Sequence, residues 1–341
     1  MKKLVLVGLL AACIHTAFAQ RINPADKKYL QRSEDTLKNY STAILEGNRS
    51  DDRFKADSNF TRVLVRALKT PNSFFYPFDS LYTISKLYAP DSSFRIYTWQ
   101  MLVNDFVVRQ HGAIQMRTSD GSLKLFPLID RSDITLKMAD TIANNKGWMG
   151  AVYYKIIQTK SGLQNYYTLL GYDENNVKTN RKIIEILSFN GDEPIFGNRN
   201  FSFENDTVFK SSSSRFILEF KKGASAKLNY DPEQNIIVYG HLVSETGEPN
   251  KKFTLVPDLD YEGFKWMNGK WVHIENVRNY TSRDNSDMFS NTIRDDAGNI
   301  NHSKLKNGGM EDDDTPDEVK PPDLEKTKTE KPKPKKKPGK G

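Results

Sequence analysis

The stretch YEGFKWMNGKWVHIENV, residues 261–277, decides the fold class of this chain. At its centre lies an Asn-Gly pair at 268–269, the preferred sequence of a two-residue turn between antiparallel strands, because both positions accept a positive φ. A turn at this pair fixes which residues of the two strands face each other. The stretch therefore predicts a β-hairpin with four aromatic side chains on one face. They are Phe264, Trp266, Trp271 and His273.

Similar short runs of aromatic and β-branched residues begin at Phe94, and this composition is typical of strands. Turn sequences such as SDGS and FNGDEP separate the runs. Because no long helical pattern lies between them, the runs indicate antiparallel strands. We therefore expect a large antiparallel β-meander, of sandwich or barrel-like form, over residues 91–280. The runs are FRIYTWQMLV (94–103), AIQMRT (113–118), LKLFPL (123–128), AVYYKIIQ (151–158), QNYYTLLGY (164–172), KIIEILSF (182–189), RFILEFKK (215–222), AKLNY (226–230) and NIIVYGHL (235–242).

Residues 20–90 have a helical pattern instead. Asn23 is a good helix cap and Pro24 suits the first helical turn, after which large aliphatic residues recur every seven positions. A second helix is predicted over residues 51–69. A short third helix would contain Leu81, Ile84 and Leu87. The fold class that follows is α+β, with a helical N-terminal subdomain packed on the β domain.

The first 19 residues have the pattern of a signal peptide: two lysines, a short apolar stretch and then small residues. Two processing sites overlap there. Leu-Ala-Ala-Cys, ending at Cys13, resembles a lipidation site, and Ala-Phe-Ala, ending at Ala19, resembles an ordinary cleavage site. Because the residues after Cys13 are still signal-like, we expect cleavage after Ala19 and a periplasmic protein. A lipid anchor on Cys13 is the alternative. No later stretch is apolar for long enough to span a membrane.

The last segment, residues 281–341, is predicted to be a disordered polyampholyte tail, because charge and proline dominate it. Eight acids and one lysine at 311–325 precede eight lysines and one glutamate at 326–341, so the two blocks cancel. The net charge of +7 for the whole chain is modest for its size and does not indicate a nucleic-acid partner. The lysine-rich block fits peripheral contact with anionic surfaces.

Residues with catalytic chemistry are scarce. Cys13 is the only cysteine, so a chain cleaved after Ala19 would carry no thiol chemistry. His111 and His241 remain as candidates for acid–base work beside a carboxylate, although neither lies in a metal-binding spacing. No phosphate-binding loop or metal motif is present, and we expect neither a metal nor a cofactor.

The aromatic face of the predicted hairpin is the second candidate site. Paired tryptophans can stack on sugar rings, which makes Trp266 and Trp271, with Phe264 and His273 beside them, candidates for a ligand-binding platform. We nevertheless expect these side chains to pack in the sheet core, because aromatic cross-strand pairs are a standard way to stabilise sheets.

Several stretches resemble a widespread set of uncharacterised exported proteins of Bacteroidota, over about residues 25–280. They are HGAIQM and DGSLKLFPLID within 111–130, YYTLLGYDENN (166–176), LNYDPEQNIIVYGHLVSE (228–245) and the hairpin. The resemblance implies no activity and no catalytic residues. Because no catalytic motif fits, we expect a non-catalytic binding or scaffolding module of the periplasm or envelope, whose partner is an envelope protein or a glycan. A hydrolase using histidine and carboxylates, and a glycan-binding module using surface aromatics, are the alternatives.

Overall fold

The computed structural model describes residues 22–104, 106–203 and 213–277. It begins with two helices that pack against each other, α1 (Pro24–Glu46) and α2 (Ser50–Leu68). The Asn23 side chain caps α1 by accepting a hydrogen bond from the backbone N–H of Asp26 at 2.8 Å, as predicted. Both helices bury one apolar stripe, so their stability comes from packing on the layer beneath them.

Strands dominate the rest of the described chain. They are β1 (Ser85–Tyr88), β2 (Phe94–Asn104), β3 (Val107–Met116), β4 (Lys124–Ile129), β5 (Ala143–Asn144), β6 (Val152–Ser161), β7 (Gln164–Asp173), β8 (Thr179–Asn190), β9 (Glu193–Phe196), β10 (Phe201–Ser202), β11 (Arg215–Lys221), β12 (Leu228–Asp231), β13 (Ile236–Ser244), β14 (Leu255–Met267) and β15 (Lys270–Ile274). Neighbouring strands pair antiparallel, except that β10 runs parallel to β15.

The strands form three sheets. The first has the order β1-β2-β3-β4, and the second has the order β5-β9-β8-β7-β6 with β11 also paired to β8. The third has the order β10-β15-β14-β13-β12. Because most neighbours in the sheets are also neighbours in sequence, the fold is a set of antiparallel meanders.

The helices and sheets stack in layers, with a separate apolar core between each pair. The helices pack on one face of the first sheet, where Tyr97 and Trp99 of β2 meet Phe60 of α2. Phe94 and Ile96, on the opposite face of β2, join the core shared with the second sheet. The other face of the second sheet packs on the third. The second sheet is therefore buried on both faces, which explains why its strands read as nearly continuous apolar runs.

The structure confirms the α+β class and the hairpin register, in which Trp266 pairs with Trp271 and Phe264 pairs with His273. The prediction of a third helix is wrong, because residues 85–88 form strand β1, which pairs antiparallel with β2. Leu81 and Ile84 enter the core beneath the helices, whereas Leu87 packs on the core shared with the second sheet, so the three do not share one face. The predicted signal peptide, Cys13 and the predicted tail lie outside the described residues.

Candidate functional site

A pocket of about 500 Å³ lies between α1 and the segment that follows α2. Its size falls in the range of small-molecule sites. The α1 wall presents a cation, an amide and a carboxylate, and the opposite wall presents two aromatic rings, a proline and a second carboxylate. The lining residues are Ile22, Lys27, Gln31, Glu34, Phe75, Tyr76, Pro77 and Asp79. The pocket therefore combines apolar surface with groups of both charge signs.

Glu34 joins the two walls of the pocket. Its buried carboxylate accepts hydrogen bonds from the Tyr76 hydroxyl at 2.5 Å and from the backbone N–H of Ser80 at 2.6 Å. Burial, together with the hydrogen bond to Glu34, raises the pKa of the Tyr76 hydroxyl, so this group remains a donor at neutral pH. Glu34 is buried because it shares a face of α1 with Leu30 and Leu37.

Arg95 holds the second wall in place from beneath. Its side chain is buried, and its guanidinium donates hydrogen bonds to the backbone carbonyls of Ser73 at 2.8 Å and Tyr76 at 2.6 Å. The structure describes no carboxylate paired with it. Four aromatic rings surround the charge instead, with their centroids 4.9–5.7 Å from the guanidinium carbon. They belong to Phe74, Phe78, Tyr88 and Tyr97.

Phe78 turns the chain between the pocket residues Pro77 and Asp79. Its φ is 56°, a left-handed conformation that is unfavourable for a bulky side chain. The ring is fully buried and packs edge-on against Tyr76, with the centroids 4.8 Å apart. Backbone strain of this kind persists only where the surroundings enforce it, and it concentrates at functional sites. The conformation of Phe78 therefore adds weight to the pocket as a candidate site.

A second candidate site, which we name the His–carboxylate cluster, lies on β13, β14 and β15. Its members are Tyr239, His241, Asp258, Glu262 and His273. His241 Nδ1 is 2.8 Å from Asp258 Oδ2, while Glu262 Oε2 is 2.9 Å from His273 Nε2 and 2.6 Å from the Tyr239 hydroxyl. Burial opposes ionisation of Glu262, but the hydrogen bonds from His273 and Tyr239 outweigh it and keep the pKa of this carboxyl below its ordinary value.

An irregular stretch of the β13–β14 pairing brings this cluster together. The regular register stops at Gly240 and resumes at Leu242, so that His241 alone stands opposite residues 258–260. Leu259, in the middle of that stretch, has a φ of 77° and an exposed side chain. A bulge of this kind re-aims the side chains beside it, and here it directs Asp258 toward His241.

His111 occupies a different place, beneath the helices. Its Nδ1 is 3.0 Å from Asp57 Oδ1 on α2, and the same carboxylate oxygen accepts a hydrogen bond from Trp99 Nε1 at 2.8 Å. Asp57 is buried, and the His111 side chain is a quarter exposed. Each of the two predicted histidines therefore meets a carboxylate, but the fold does not bring the histidines together in one site.

The aromatic hairpin face lies mostly inside the protein. Phe264 and Trp271 are fully buried in the core between the second and third sheets, and the indole N–H of Trp271 donates to Thr168 Oγ1 at 2.8 Å. Trp266 is partly buried against the same core, and only 5% of the His273 side chain is exposed. A sugar-stacking platform needs open ring faces, and Phe264 and Trp271 do not offer them.

One further carboxylate has an unusual environment. Asp173, at the end of β7, is buried next to Gln110, whose side-chain amide donates to it at 3.1 Å. Burial raises the pKa of Asp173 to about 6, and the backbone N–H of Asn175 and the charge of Arg181 only partly offset that effect. The folded protein therefore holds a proton on Asp173 at pH values where the unfolded chain has lost it.

Replacing Asp173 by Asn should increase the stability of the protein relative to wild type as the pH rises. The folded-state pKa lies above the ordinary value of 3.8, so wild-type stability falls between about pH 4 and pH 7 while the variant lacks this dependence. A shift of about two units corresponds to roughly 2–3 kcal/mol. Urea unfolding of both proteins at pH 4 and pH 7.5 measures the difference. If the difference in unfolding free energy between wild type and variant is the same at pH 4 and at pH 7.5, the raised pKa of Asp173 is contradicted.

Known proteins give no further guide to this chain, because no family model, curated protein or solved structure matches it. In the described ranges, no three or more histidine, cysteine, aspartate or glutamate side chains are arranged to hold a metal ion. Nor does any helix within those ranges have the length and apolarity needed to cross a membrane.

Reasoning from sequence missed the pocket. One signal for it was present, because Glu34 interrupts the apolar face of α1 between Leu30 and Leu37. A carboxylate at such a position must find partners in the folded protein. The segment that supplies those partners, around Tyr76, carries no motif of its own.

Proposed function

We propose that the protein is an exported, non-catalytic binding module of the periplasm or envelope, and that its ligand binds in the pocket beside α1. The observation that carries this proposal is the set of polar side chains that line the pocket without a partner. The side chains of Lys27, Gln31 and Asp79 make no hydrogen bond or ion pair among the described residues. They stand around an apolar wall that Arg95 and Glu34 hold in place. Small-molecule sites are usually concave, with apolar walls and a few polar groups that can bind the ligand.

Export rests on the signal-peptide pattern of residues 1–19 and on the resemblance to exported proteins. The proposal includes cleavage after Ala19, with a lipid anchor on Cys13 as the alternative. The intact mass of the mature protein distinguishes the two, because a lipidated chain would be longer by the residues from Cys13 and heavier by its acyl groups.

A hydrolase is the second candidate, and the His–carboxylate cluster is the observation that favours it. Asp258 holds Nδ1 of His241, which leaves Nε2 3.7 Å from Glu262 Oε1, so that a water or a substrate hydroxyl could touch both. Against this reading, no serine or threonine side chain among the described residues is hydrogen-bonded to His241 or His111. Both lack the hydroxyl nucleophile of a catalytic triad.

A ligand screen with a blocked pocket tests the proposal. Purified mature protein is screened by thermal unfolding against peptides, amines, sugars and nucleotides. A ligand that binds the pocket at 100 times its Kd should raise the stability by about 2.7 kcal/mol, which corresponds to several degrees in Tm. We expect this rise in wild type and in Lys28→Trp, an exposed site on α1 outside the pocket, and its loss in Gln31→Trp, which fills the pocket.

The same preparation tests the hydrolase reading. Turnover of model esters, phosphoesters or glycosides is measured for wild type, His241→Gln and Glu262→Gln. Turnover that disappears in both variants would replace the binding proposal with the hydrolase. Equal background rates in all three proteins are the result expected of a binding module.

A further inference from the structure

We infer that the pocket beside α1 takes a zwitterionic ligand, a free peptide of two or three residues, with its carboxylate near Lys27 and its ammonium near Asp79. This inference rests on the proposed function and names the ligand class for the same site. Three features of the pocket carry it: the order of charges along α1, the side chains without hydrogen-bond partners and the length of the site.

The charges along the α1 wall are ordered. Lys27, Gln31 and Glu34 stand at positions i, i+4 and i+7 of α1, so they share one helix face. At 1.5 Å per residue, the cation and the carboxylate are separated by about 10 Å along the helix axis. The pocket therefore has a positive end and a negative end.

Lys27 provides the positive end of the pocket. It lies in the first turn of α1, whose terminus is capped by the Asn23 side chain and already carries the Asp26 carboxylate. A ligand carboxylate at this end would therefore meet the ammonium group of Lys27. The side chain of Lys27 is exposed, so it can move toward a ligand.

Asp79 provides the negative end. It precedes Ser80, whose backbone N–H contacts Glu34, so the carboxylates of Asp79 and Glu34 belong to the same part of the pocket. Glu34 already accepts two hydrogen bonds inside the protein, whereas the Asp79 side chain is exposed and accepts none among the described residues. The half-buried Lys86 donates to the backbone carbonyl of Leu81. Burial lowers the pKa of Lys86 to about 8, and the charges of Glu34 and Asp79 only partly offset that effect. Because the Asp79 side chain forms neither an ion pair nor a hydrogen bond with Lys86 among the described residues, its carboxylate can receive a ligand ammonium.

The length and the walls of the pocket select a short peptide. An extended chain spans at most about 3.3–3.6 Å per residue, so three residues bridge about 10 Å between their charged termini and two residues bridge about 7 Å. The exposed Lys27 side chain can reach toward the shorter ligand. A single amino acid is too short to reach both ends. Phe75, Tyr76 and Pro77 provide an apolar wall beside the middle of the ligand, where a peptide carries its side chains. The amide of Gln31 stands halfway along and can bind a peptide group.

Calorimetry with Ala-Phe-Ala in free, N-acetylated and C-amidated forms tests the inference. We expect the free peptide to bind, and each blocked form to bind at least fivefold more weakly. Asp79→Asn should weaken binding of the free peptide by a similar factor and leave the acetylated form unchanged. Lys27→Gln should do the same for the free peptide and leave the amidated form unchanged. Glu233→Gln removes a distant exposed charge and should change nothing.

The outcomes separate the inference from the function on which it rests. Blocked peptides that bind as tightly as the free form would overturn the zwitterion. A ligand of another class that binds wild type but not Gln31→Trp would also overturn the zwitterion. In that case the proposed binding function would still be supported. If no peptide and no screened ligand distinguishes wild type from Gln31→Trp, both are wrong. Thermal unfolding of each variant shows whether it is folded in these measurements.

Discussion

Replacing Arg215 by Met should lower the free energy of unfolding by about 3–5 kcal/mol. Arg215 and Glu185 form a completely buried ion pair, with both side chains 0% exposed and Nη2 2.6 Å from Oε1. The substitution leaves the Glu185 carboxylate without its counter-charge in the core between the first and second sheets. It also removes the Arg215 donor from the backbone carbonyls of Met138 and Thr141, of which Met138 keeps the backbone N–H of Thr141. Guanidinium unfolding monitored by tryptophan fluorescence measures the loss.

Two further variants show that the loss comes from the unpaired charge. Glu185→Leu combined with Arg215→Met removes both charges and should cost less than the sum of the single changes, because neither charge is left unpaired. Lys221 and Glu245 form an ion pair of the same 2.6 Å length at the surface, about 45% exposed. Lys221→Met is therefore a matched control, and we expect it to cost less than about 1 kcal/mol. Equal losses for Arg215→Met and Lys221→Met would contradict the prediction.

The sequence was sufficient to predict features that depend on local chemistry. The Asn-Gly turn at 268–269 determined the hairpin register, because a two-residue turn leaves no freedom in strand pairing. The cap of α1 was equally local. Alternating and apolar runs located most of the strands, because side-chain burial on sheet faces follows a two-residue period.

The way in which the layers pack, and the buried charges between them, could not be predicted from local sequence. Lys182 and Glu185 interrupt the apolar run of β8, and their burial becomes intelligible only when partners from distant strands are known. Glu185 meets Arg215 across a sequence separation of 30 residues. The false third helix has a related cause. Leu81 and Leu87 are spaced like residues on a helix, but they enter two different cores because pairing to β2 outweighs the local pattern.

The candidate sites also depend on contacts between distant residues. The spacing of His241 and Asp258 gives no sign of their contact, because the bulge around Leu259 creates it. The wall of the pocket is held by Arg95, a charged residue near the start of the apolar strand β2. A buried arginine must have partners, but the sequence does not show which residues they are. In the folded protein they are the carbonyls of Ser73 and Tyr76 and aromatic rings of the wall segment and of β1 and β2.

Replacing Arg95 by Met should destabilise the protein by about 3–5 kcal/mol and abolish ligand binding in the pocket. The backbone carbonyl of Tyr76 and the side-chain oxygen of Gln115 would lose their Arg95 donor, and a buried acceptor left unsatisfied costs about 1–3 kcal/mol. The carbonyl of Ser73 would also lose Arg95 but would keep the backbone N–H of Tyr76. The aromatic rings would also lose the cation that they surround. Denaturant unfolding measures the first effect, and calorimetry with the ligand found for wild type measures the second.

Two comparisons separate this role from a general effect of removing an arginine. Arg95→Lys keeps the charge but has neither the planar fork nor the reach to both carbonyls, so its loss should lie between those of wild type and the Met variant. Arg62→Met removes an exposed arginine from α2 and should change stability by less than about 0.5 kcal/mol. Because Arg95 contacts the backbone of the pocket wall and not the pocket itself, binding should be lost in the Met variant even at temperatures where it is folded. A folded Arg95→Met protein with unchanged ligand affinity would show that the wall is held by other contacts, and that Arg95 serves the core alone.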